Sequence, residues 1–233
     1  MLDFVYPPRC PACGGSVAEQ GGLCGACWDD LVIPSDPSCA ACQRPFGENG
    51  PTEGAICAVC LADPPDHDGI AAGALYTETA RKLVLSFKHG RRIALAPLLA
   101  RMISARLPPA EGERVIVPVP LHRRRLWERG FNQAEQLCRN LSRATGLKVE
   151  TRAVKRTRVT QTQTLLSRGE RLANMRGAFE PDKVNLNGRR VALVDDVLTT
   201  GATTSDCARA CKKAGAAEVG VWTLARGLGS PGH

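Results

Sequence analysis

Residues 191–205 read Val-Ala-Leu-Val-Asp-Asp-Val-Leu-Thr-Thr-Gly-Ala-Thr-Thr-Ser, and this stretch decides the fold. Four apolar residues in a row predict a strand that is covered on both faces, as strands of parallel sheets are. The carboxylates of Asp195 and Asp196 follow at its carboxyl end, where open parallel sheets bind their ligands. A hydroxyl-rich turn around Gly201 then leads into a helical pattern, so main-chain amides and a helix N-terminus can surround an anion.

A sugar phosphate would use both halves of this segment. The residues predicted to surround its phosphate are Thr199, Thr200, Gly201, Ala202, Thr203 and Thr204. The two aspartates would accept hydrogen bonds from vicinal ribose hydroxyls, directly or through a hydrated Mg2+. The segment resembles the phosphoribosyl pyrophosphate (PRPP) signature of type I phosphoribosyltransferases, position by position. A plainer interpretation stays open, in which the acids cap a turn and the threonines cap the helix.

Strands and helices alternate along the rest of the chain. The hydrophobic pattern predicts further strands at 70–76, 115–117, 148–154 and 219–225. It predicts helices at 79–88, 94–107, 132–145 and 203–214. Residues 155–176 are polar and poorly periodic, which indicates a long connection. Alternation of this kind is typical of an α/β fold with a parallel sheet.

Eight of the 11 cysteines form four Cys-x-x-Cys pairs within the first 60 residues. Two such pairs, facing each other across a hairpin, make the four-thiolate site of a zinc ribbon. With the simplest, sequential pairing, one structural Zn2+ binds Cys10, Cys13, Cys24 and Cys27, and a second binds Cys39, Cys42, Cys57 and Cys60. Disulfides would need an oxidising compartment, and a redox motif would need one pair in a βαβ setting, so both alternatives fit less well.

Charge divides the chain into two parts. Residues 1–68 carry two basic and ten acidic side chains, whereas residues 69–233 carry 29 basic and 13 acidic ones. A polar, proline-rich segment lies at this change, so we predict a double zinc ribbon over 1–66 and a second domain over 67–233. The basic body implies an anionic partner, either a phosphorylated metabolite or a nucleic acid.

Two arginine-rich segments are candidates for contact with a pyrophosphate leaving group. One follows the strand at 115–117, and the other lies in the connection at 155–176, where type I enzymes carry a flexible catalytic loop. Guanidinium groups would stabilise the negative charge that builds on pyrophosphate as its bond to C1 breaks. The candidate contacts are Pro120, Leu121, His122, Arg123, Arg156 and Arg158. A solvated basic face or an RNA-binding patch is the alternative.

Six other large or sulfur-bearing side chains are predicted to pack in the core instead of contacting a ligand. They are Trp127, Phe131, Trp222, Cys138, Cys207 and Cys211. The three cysteines have no metal-like spacing and fall in helical patterns, where a thiol behaves as a small apolar group.

Taken together, the cysteine pairs, the arginine-rich segment 117–133, the Arg-x-Arg-x-Thr-x-x-Gln run at 156–163 and segment 191–205 resemble the ComF family over nearly the whole chain. The resemblance implies a type I phosphoribosyltransferase-like parallel sheet flanked by helices and preceded by a double zinc ribbon. It also implies a link to DNA uptake in natural competence. The implied activity is Mg2+-dependent transfer of 5-phosphoribosyl from PRPP to an acceptor, with Asp195 and Asp196 as catalytic residues.

The alternative function is a non-catalytic adaptor that senses PRPP or binds single-stranded DNA together with competence proteins. Nothing in the sequence selects the acceptor among a purine, a pyrimidine, an amine and a nucleic acid. No stretch approaches 18 uninterrupted apolar residues, and the first residues show no basic leader, so we expect a cytoplasmic protein without membrane insertion.

Overall fold

The computed structural model describes residues 7–47, 49–51, 54–89, 93–107, 113–158 and 168–228. The helices are α1 (Gly25–Asp29), α2 (Ala58–Ala62), α3 (Glu78–His89), α4 (Ala96–Ser104), α5 (Arg123–Arg129), α6 (Gln133–Thr145), α7 (Arg168–Met175) and α8 (Ala202–Lys213), with a 3-10 turn at Ile93–Leu95. The strands are β1 (Gly69–Leu75), β2 (Arg114–Pro118), β3 (Lys148–Val149), β4 (Val154–Arg156), β5 (Phe179–Pro181), β6 (Arg190–Leu198) and β7 (Glu218–Arg226).

Five strands form a parallel sheet in the order β1-β7-β6-β2-β3. The central strand β6 is apolar because both of its faces are covered. Val191 and Leu193 pack in the core beneath α8, whereas Ala192 and Val194 pack in the core beneath α3, α4 and α6. The predicted parallel sheet with flanking helices is therefore confirmed.

Local sequence signals set the ends of α6. The side chain of Asn132 accepts a hydrogen bond from the Ala134 N–H at 3.0 Å, which satisfies one free donor of the first turn. Gly146 follows the last turn with φ +75°, a left-handed conformation that glycine adopts without a steric penalty. The predicted helix at 132–145 agrees with these bounds.

Two of the predicted segments differ from the structure. The single strand expected at 148–154 is two strands: β3 extends the parallel sheet, and β4 pairs with β5 in a separate antiparallel hairpin. The connection predicted at 155–176 contains the end of β4 and the helix α7. Apolar alternation on either side of a turn cannot show which sheet each strand joins, since that depends on distant partners. Residues 159–167 of this connection lie outside the described residues.

The cysteine-rich module covers the edge of the sheet. The Leu75 N–H of edge strand β1 donates to the Val32 carbonyl at 2.7 Å, and the Ala72 N–H donates to Gln43 Oε1 at 3.0 Å. These bonds occupy donors that an edge strand would otherwise present to solvent or to another chain. The domain boundary after residue 66 stays a prediction.

Five of the six side chains predicted to pack in the core do so. Cys138, Cys207, Cys211 and Trp222 are buried, and the Phe131 ring lies 6.2 Å from the Phe87 ring, centroid to centroid. Among the described helices, none combines the length and the apolar character needed to span a bilayer.

Candidate functional site

A cleft opens at the carboxyl end of β6. It is lined by Asp195, Val197, Leu198, Thr199, Thr200, Gly201, Ala202, Thr203 and Thr204. Gly201 precedes α8 with φ +80°, a conformation that few other residues adopt without strain. The Thr204 hydroxyl donates to the Gly201 carbonyl at 3.0 Å and fixes the turn. The residues predicted to surround a phosphate therefore line one cavity.

The two aspartates lie on opposite faces of β6, because side chains alternate along a strand. Asp195 lines the cleft. Asp196 is only 6% exposed and points toward α3, where Lys88 Nζ lies 2.9 Å from its Oδ1. A shared role for both carboxylates on one pair of sugar hydroxyls, as predicted from the sequence, is not the arrangement that this geometry favours.

The carboxyl group of Asp195 is electrostatically strained. Burial and the neighbouring Asp196 carboxylate together raise its pKa to about 7, against the opposing charge of Lys88. The Asp196 N–H donates to Asp195 Oδ1 at 2.8 Å and favours the ionised form. A carboxyl group with a pKa near neutrality in a cleft is typical of a functional site.

Arg156 lies near this carboxyl group, and Arg125 lies near Arg156. Burial lowers the pKa of Arg156 on β4, and the charge of Arg125 on α5 lowers it further, while Asp195 acts in the opposite direction. The Arg156 guanidinium carbon also lies 5.4 Å from the Phe179 ring centroid. Arg156 thus lies near Asp195, with Arg125 near it. Contact of Arg156 or Arg123 with a pyrophosphate stays a prediction.

The segment after β2 emerges beside the cleft, since β2 pairs directly with β6 and the Val119 N–H donates to the Val194 carbonyl at 2.9 Å. Pro120 and Leu121 lie half-buried at this edge. His122 caps α5: its Nδ1 accepts from the Arg124 N–H at 3.2 Å.

The remaining predicted arginines are more exposed. Arg123 lies on the exposed side of α5, and Arg158 donates to the Arg176 carbonyl at 2.8 Å, at the base of the connection between β4 and α7.

The prediction that Trp127 is a core residue is wrong. Its side chain is 88% exposed on α5, next to the exposed Arg123 and Arg124. The prediction rested on the size and apolar character of the indole, and a seven-residue helix such as α5 offers too little periodicity to show which face is buried.

The eight paired cysteines form two clusters in the sequential pairing, and within each cluster the four sulfurs lie within 4.8 Å of one another. Tetrahedral Zn2+ with Zn–S bonds of about 2.3 Å places sulfurs about 3.8 Å apart. The Cys13 and Cys24 sulfurs lie 3.6 Å apart, and those of Cys42 and Cys57 lie 3.8 Å apart.

Ionisation of the thiols in these clusters would require a bound cation. Burial and the neighbouring sulfurs raise the pKa of Cys27 and of Cys60. Burial also acts to raise the pKa of Cys10, but hydrogen bonds from main-chain N–H groups outweigh it and lower that pKa to about 6. Four adjacent thiolates can all ionise only when a metal ion balances them, so the residues fit structural zinc.

The family model described as the double zinc ribbon domain matches residues 1–61. Competence protein F from Haemophilus influenzae is 34% identical over 235 residues, covering 97% of this chain and 100% of that protein. The chain belongs to the ComF family. Its two cysteine clusters are the structural zinc sites of the ribbon.

Other members of the ComF family are similar over different lengths. DNA utilization protein YhgH from Escherichia coli K12 is 34% identical over 89% of this chain and 98% of its own length. Competence protein ComFC from Bacillus subtilis is 35% identical over 48% of this chain and 44% of its own length.

Similarity of the ComF chain to solved structures is weaker. Glutamine PRPP amidotransferase from B. subtilis has 22% identity and a TM-score of 0.35, covering 57% of this chain and 26% of that chain. UMP synthase from Leishmania donovani has 18% identity and a TM-score of 0.35, covering 64% and 29%. Scores of this size do not by themselves assign an activity.

Three residues that support the site in this ComF-family chain carried no signal in the sequence. Lys88 lies more than 100 residues before Asp196 and belongs to no motif. Asp206, in the middle of α8, accepts hydrogen bonds from three consecutive N–H groups at 177–179. Arg226, at the end of β7, contacts the start of the cleft loop. An alignment of homologues would have been needed to single out any of them.

Proposed function

We propose that this ComF-family protein binds PRPP with Mg2+ and transfers its 5-phosphoribosyl group to an acceptor. The bond between C1 and the pyrophosphate oxygen breaks, a bond from the acceptor nucleophile to C1 forms, and the acceptor loses a proton. One observation carries the proposal. The Asp195 carboxylate and the 199–204 turn line a single cleft at the carboxyl end of the central parallel strand.

In this proposal the cleft loop holds the 5-phosphate through main-chain N–H groups and threonine hydroxyls. Asp195, ionised, accepts hydrogen bonds from the ribose hydroxyls or offers oxygen ligands to Mg2+. Asp196 acts on the opposite face, where its ion pair with Lys88 fixes the end of β6. Asp196 is therefore proposed to contribute by positioning Asp195.

The positive charge that would stabilise the pyrophosphate leaving group comes from the arginines near the cleft. Arg156 is held beside Asp195, with Arg125 close to it. Arg123 and Arg158 lie on the surrounding segments, together with Pro120, Leu121 and His122. Pyrophosphate would accept charge-assisted hydrogen bonds from such guanidinium groups. These side chains are the proposed pyrophosphate contacts.

The relatives named for competence and DNA utilization suggest the setting. We place the transferase in the cytoplasm, serving DNA uptake alongside other competence proteins. The acceptor would be a nucleophile that such cells produce while they take up DNA or use it.

The test is calorimetric titration of the zinc-loaded protein with PRPP in the presence of Mg2+. We expect saturable one-site binding, and ribose 5-phosphate should compete because it shares the phosphate and the hydroxyls. Pyrophosphate release would then be followed against a panel of purines, pyrimidines, amines and single-stranded DNA. Absence of binding at millimolar PRPP would reject the proposal, and binding without release for every acceptor would favour a PRPP sensor.

A second candidate function is binding of single-stranded DNA, and the exposed Trp127 favours it. An exposed indole flanked by arginines matches the stacking and backbone contacts that single-stranded nucleic acids use. This surface lies on α5, next to the proposed pyrophosphate contacts.

We expect Trp127→Ala to weaken binding of an oligo-dT strand about tenfold, because one stacked base contributes about 1–3 kcal/mol. Trp28→Ala is the matched control, since Trp28 is 49% exposed but lies in the acidic zinc module. Fluorescence anisotropy of a labelled strand at two salt concentrations measures both variants. Equal effects of the two substitutions, or none, would remove α5 as the binding surface.

A further inference from the structure

Arg226 is a buried cation between the two parts of the molecule. It is the last residue of β7, opposite Leu75 of β1 on one side and Leu198 of β6 on the other. The residue is 7% exposed. A buried guanidinium costs desolvation unless its N–H groups find acceptors, so its partners show what it holds together.

The partners are main-chain carbonyls from two different places. Nε donates to the Cys42 carbonyl at 2.9 Å, within the second cysteine cluster. Nη1 donates to the Thr199 carbonyl at 2.6 Å and to the Leu198 carbonyl at 3.3 Å, and also contacts the Gly227 carbonyl. One side chain therefore bridges a zinc ligand and the first residues of the cleft loop.

These bonds orient the loop as well as anchor it. In a trans peptide the C=O and the following N–H point in opposite directions. Because the Thr199 carbonyl is turned toward Arg226, the Thr200 N–H points away from the guanidinium. The Gly227 N–H also donates to the Leu198 carbonyl at 2.8 Å, so two consecutive peptides are held from the same side. The orientation of the peptide groups that lead into the 199–204 turn is therefore fixed before a ligand binds.

The Cys39–Cys42 turn of the second cluster is also fixed to the sheet by the residues that follow it. Gln43 follows Cys42 with φ +54° and accepts from the Ala72 N–H of β1 at 3.0 Å. Arg44 Nη2 donates to the Leu228 carbonyl at 2.6 Å, just beyond β7. Loss of the metal that shapes this turn would therefore move the acceptor that Arg226 Nε uses.

We propose that Arg226 is a positioning residue that couples zinc binding at the second cluster to phosphate binding at the 199–204 turn. The inference rests on the proposed function, because it assigns PRPP to that turn. Coupling between two sites is reciprocal: bound PRPP raises the zinc affinity of the second cluster, and loss of that zinc weakens PRPP binding by the same factor. We expect the tighter zinc binding to slow the loss of zinc. The first cluster, which has no part in these bonds, serves as the internal reference.

The experiment uses the full-length, zinc-loaded protein with Mg2+ and with or without saturating PRPP. A chelator with little affinity for Mg2+ removes zinc, iodoacetamide traps the released thiols, and peptide mass spectrometry locates them. We expect PRPP to slow alkylation at Cys39, Cys42, Cys57 and Cys60 about tenfold, within the usual range of allosteric coupling. Alkylation at Cys10, Cys13, Cys24 and Cys27 should be unchanged.

Variants test the role of the guanidinium. In Arg226→Met we expect PRPP protection of the second cluster to disappear and the PRPP affinity to fall about tenfold. Arg226→Lys keeps a cation but not the planar fork, and should lose most of the protection as well. Arg114→Met is the control, because Arg114 is a largely covered arginine of the same sheet, with a side chain 11% exposed, that pairs with Glu218 at 3.0 Å at the opposite end of the strands. It should keep both effects.

The outcomes separate the two proposals. If the wild-type protein binds no PRPP, the proposed function falls and this inference falls with it. If it binds PRPP but the second cluster is not protected, or if either Arg226 variant retains full protection, only the coupling is refuted. If Arg226→Met fails to fold, Arg226→Lys carries the test of the guanidinium, and the wild-type protection arm still tests the coupling.

Discussion

At pH 8 the substitution Asp195→Asn should reduce PRPP affinity about 100-fold and abolish pyrophosphate release, while the melting temperature rises. The loss is of the order seen when one preorganised polar group is removed from an active site. The gain in stability follows from the raised pKa of Asp195, which is about 7 in the folded protein because of burial and the nearby Asp196 carboxylate. Isothermal titration calorimetry and thermal unfolding measure the two effects.

The sign of the pH dependence follows from the same pKa. An ordinary aspartate ionises near pH 4, so ionisation of Asp195 costs folding free energy above about pH 4, and the full cost applies above about pH 7. Asp195→Asn removes that cost, so its stabilising effect should be largest above pH 7 and vanish in acid. Wild-type affinity for PRPP should rise between pH 6 and pH 8 as Asp195 ionises, and the variant should show a flat profile.

Asp196→Asn is the matched comparison, since it makes the same change one residue along the strand. It removes the partner of Lys88, whose Nζ lies 2.9 Å from the buried carboxylate, and should lower the melting temperature. A rise in stability for both variants, or an unchanged PRPP affinity in Asp195→Asn, would contradict the assignment of Asp195 to the cleft.

Asp206→Ala should have the largest effect on stability, about 4 kcal/mol, because a buried carboxylate that accepts several hydrogen bonds is lost. The carboxylate is 3% exposed and accepts from the N–H groups of Gly177, Ala178 and Phe179 at 2.9, 2.8 and 3.0 Å. Arg209 also donates to it at 2.6 Å and joins it to Asp66. In a chain of this size the melting temperature should fall by about 10 °C.

Two controls separate this effect from a general loss of charge. Asp206→Asn keeps one acceptor oxygen and should be destabilised less than Asp206→Ala. Asp29→Ala removes an exposed carboxylate and should change stability by less than about 0.5 kcal/mol. Differential scanning calorimetry compares all three. A melting temperature of Asp206→Ala within 2 °C of Asp29→Ala would show that the hairpin base is held by other contacts.

The hairpin also has a functional consequence. Its first strand carries Arg156, which lies beside Asp195, and its second strand begins at the N–H groups that Asp206 holds. Loosening the hairpin should therefore weaken PRPP binding in Asp206→Ala at temperatures where the protein remains folded. Asp206 is thus expected to support the site without touching the ligand.

The central strand, the cleft loop and the two metal clusters could be predicted from local stretches of the amino-acid sequence. Four apolar residues followed by acids predicted β6, and Gly201 with its hydroxyl neighbours predicted the turn, because such signals lie within a few residues of one another. The Cys-x-x-Cys pairs likewise carry their ligand geometry in local spacing. Local chemistry of this kind is readable before any fold is known.

Only the tertiary structure decided how these parts meet. It placed Asp195 and Asp196 on opposite faces, gave Asp196 the partner Lys88, left Trp127 exposed, and sent β3 and β4 to different sheets. It also set Arg226 between the second cysteine cluster and the cleft loop. These relations join residues that are far apart in the chain. The packing free energy of the whole molecule determines these contacts, and the sequence around each residue does not indicate its distant partner.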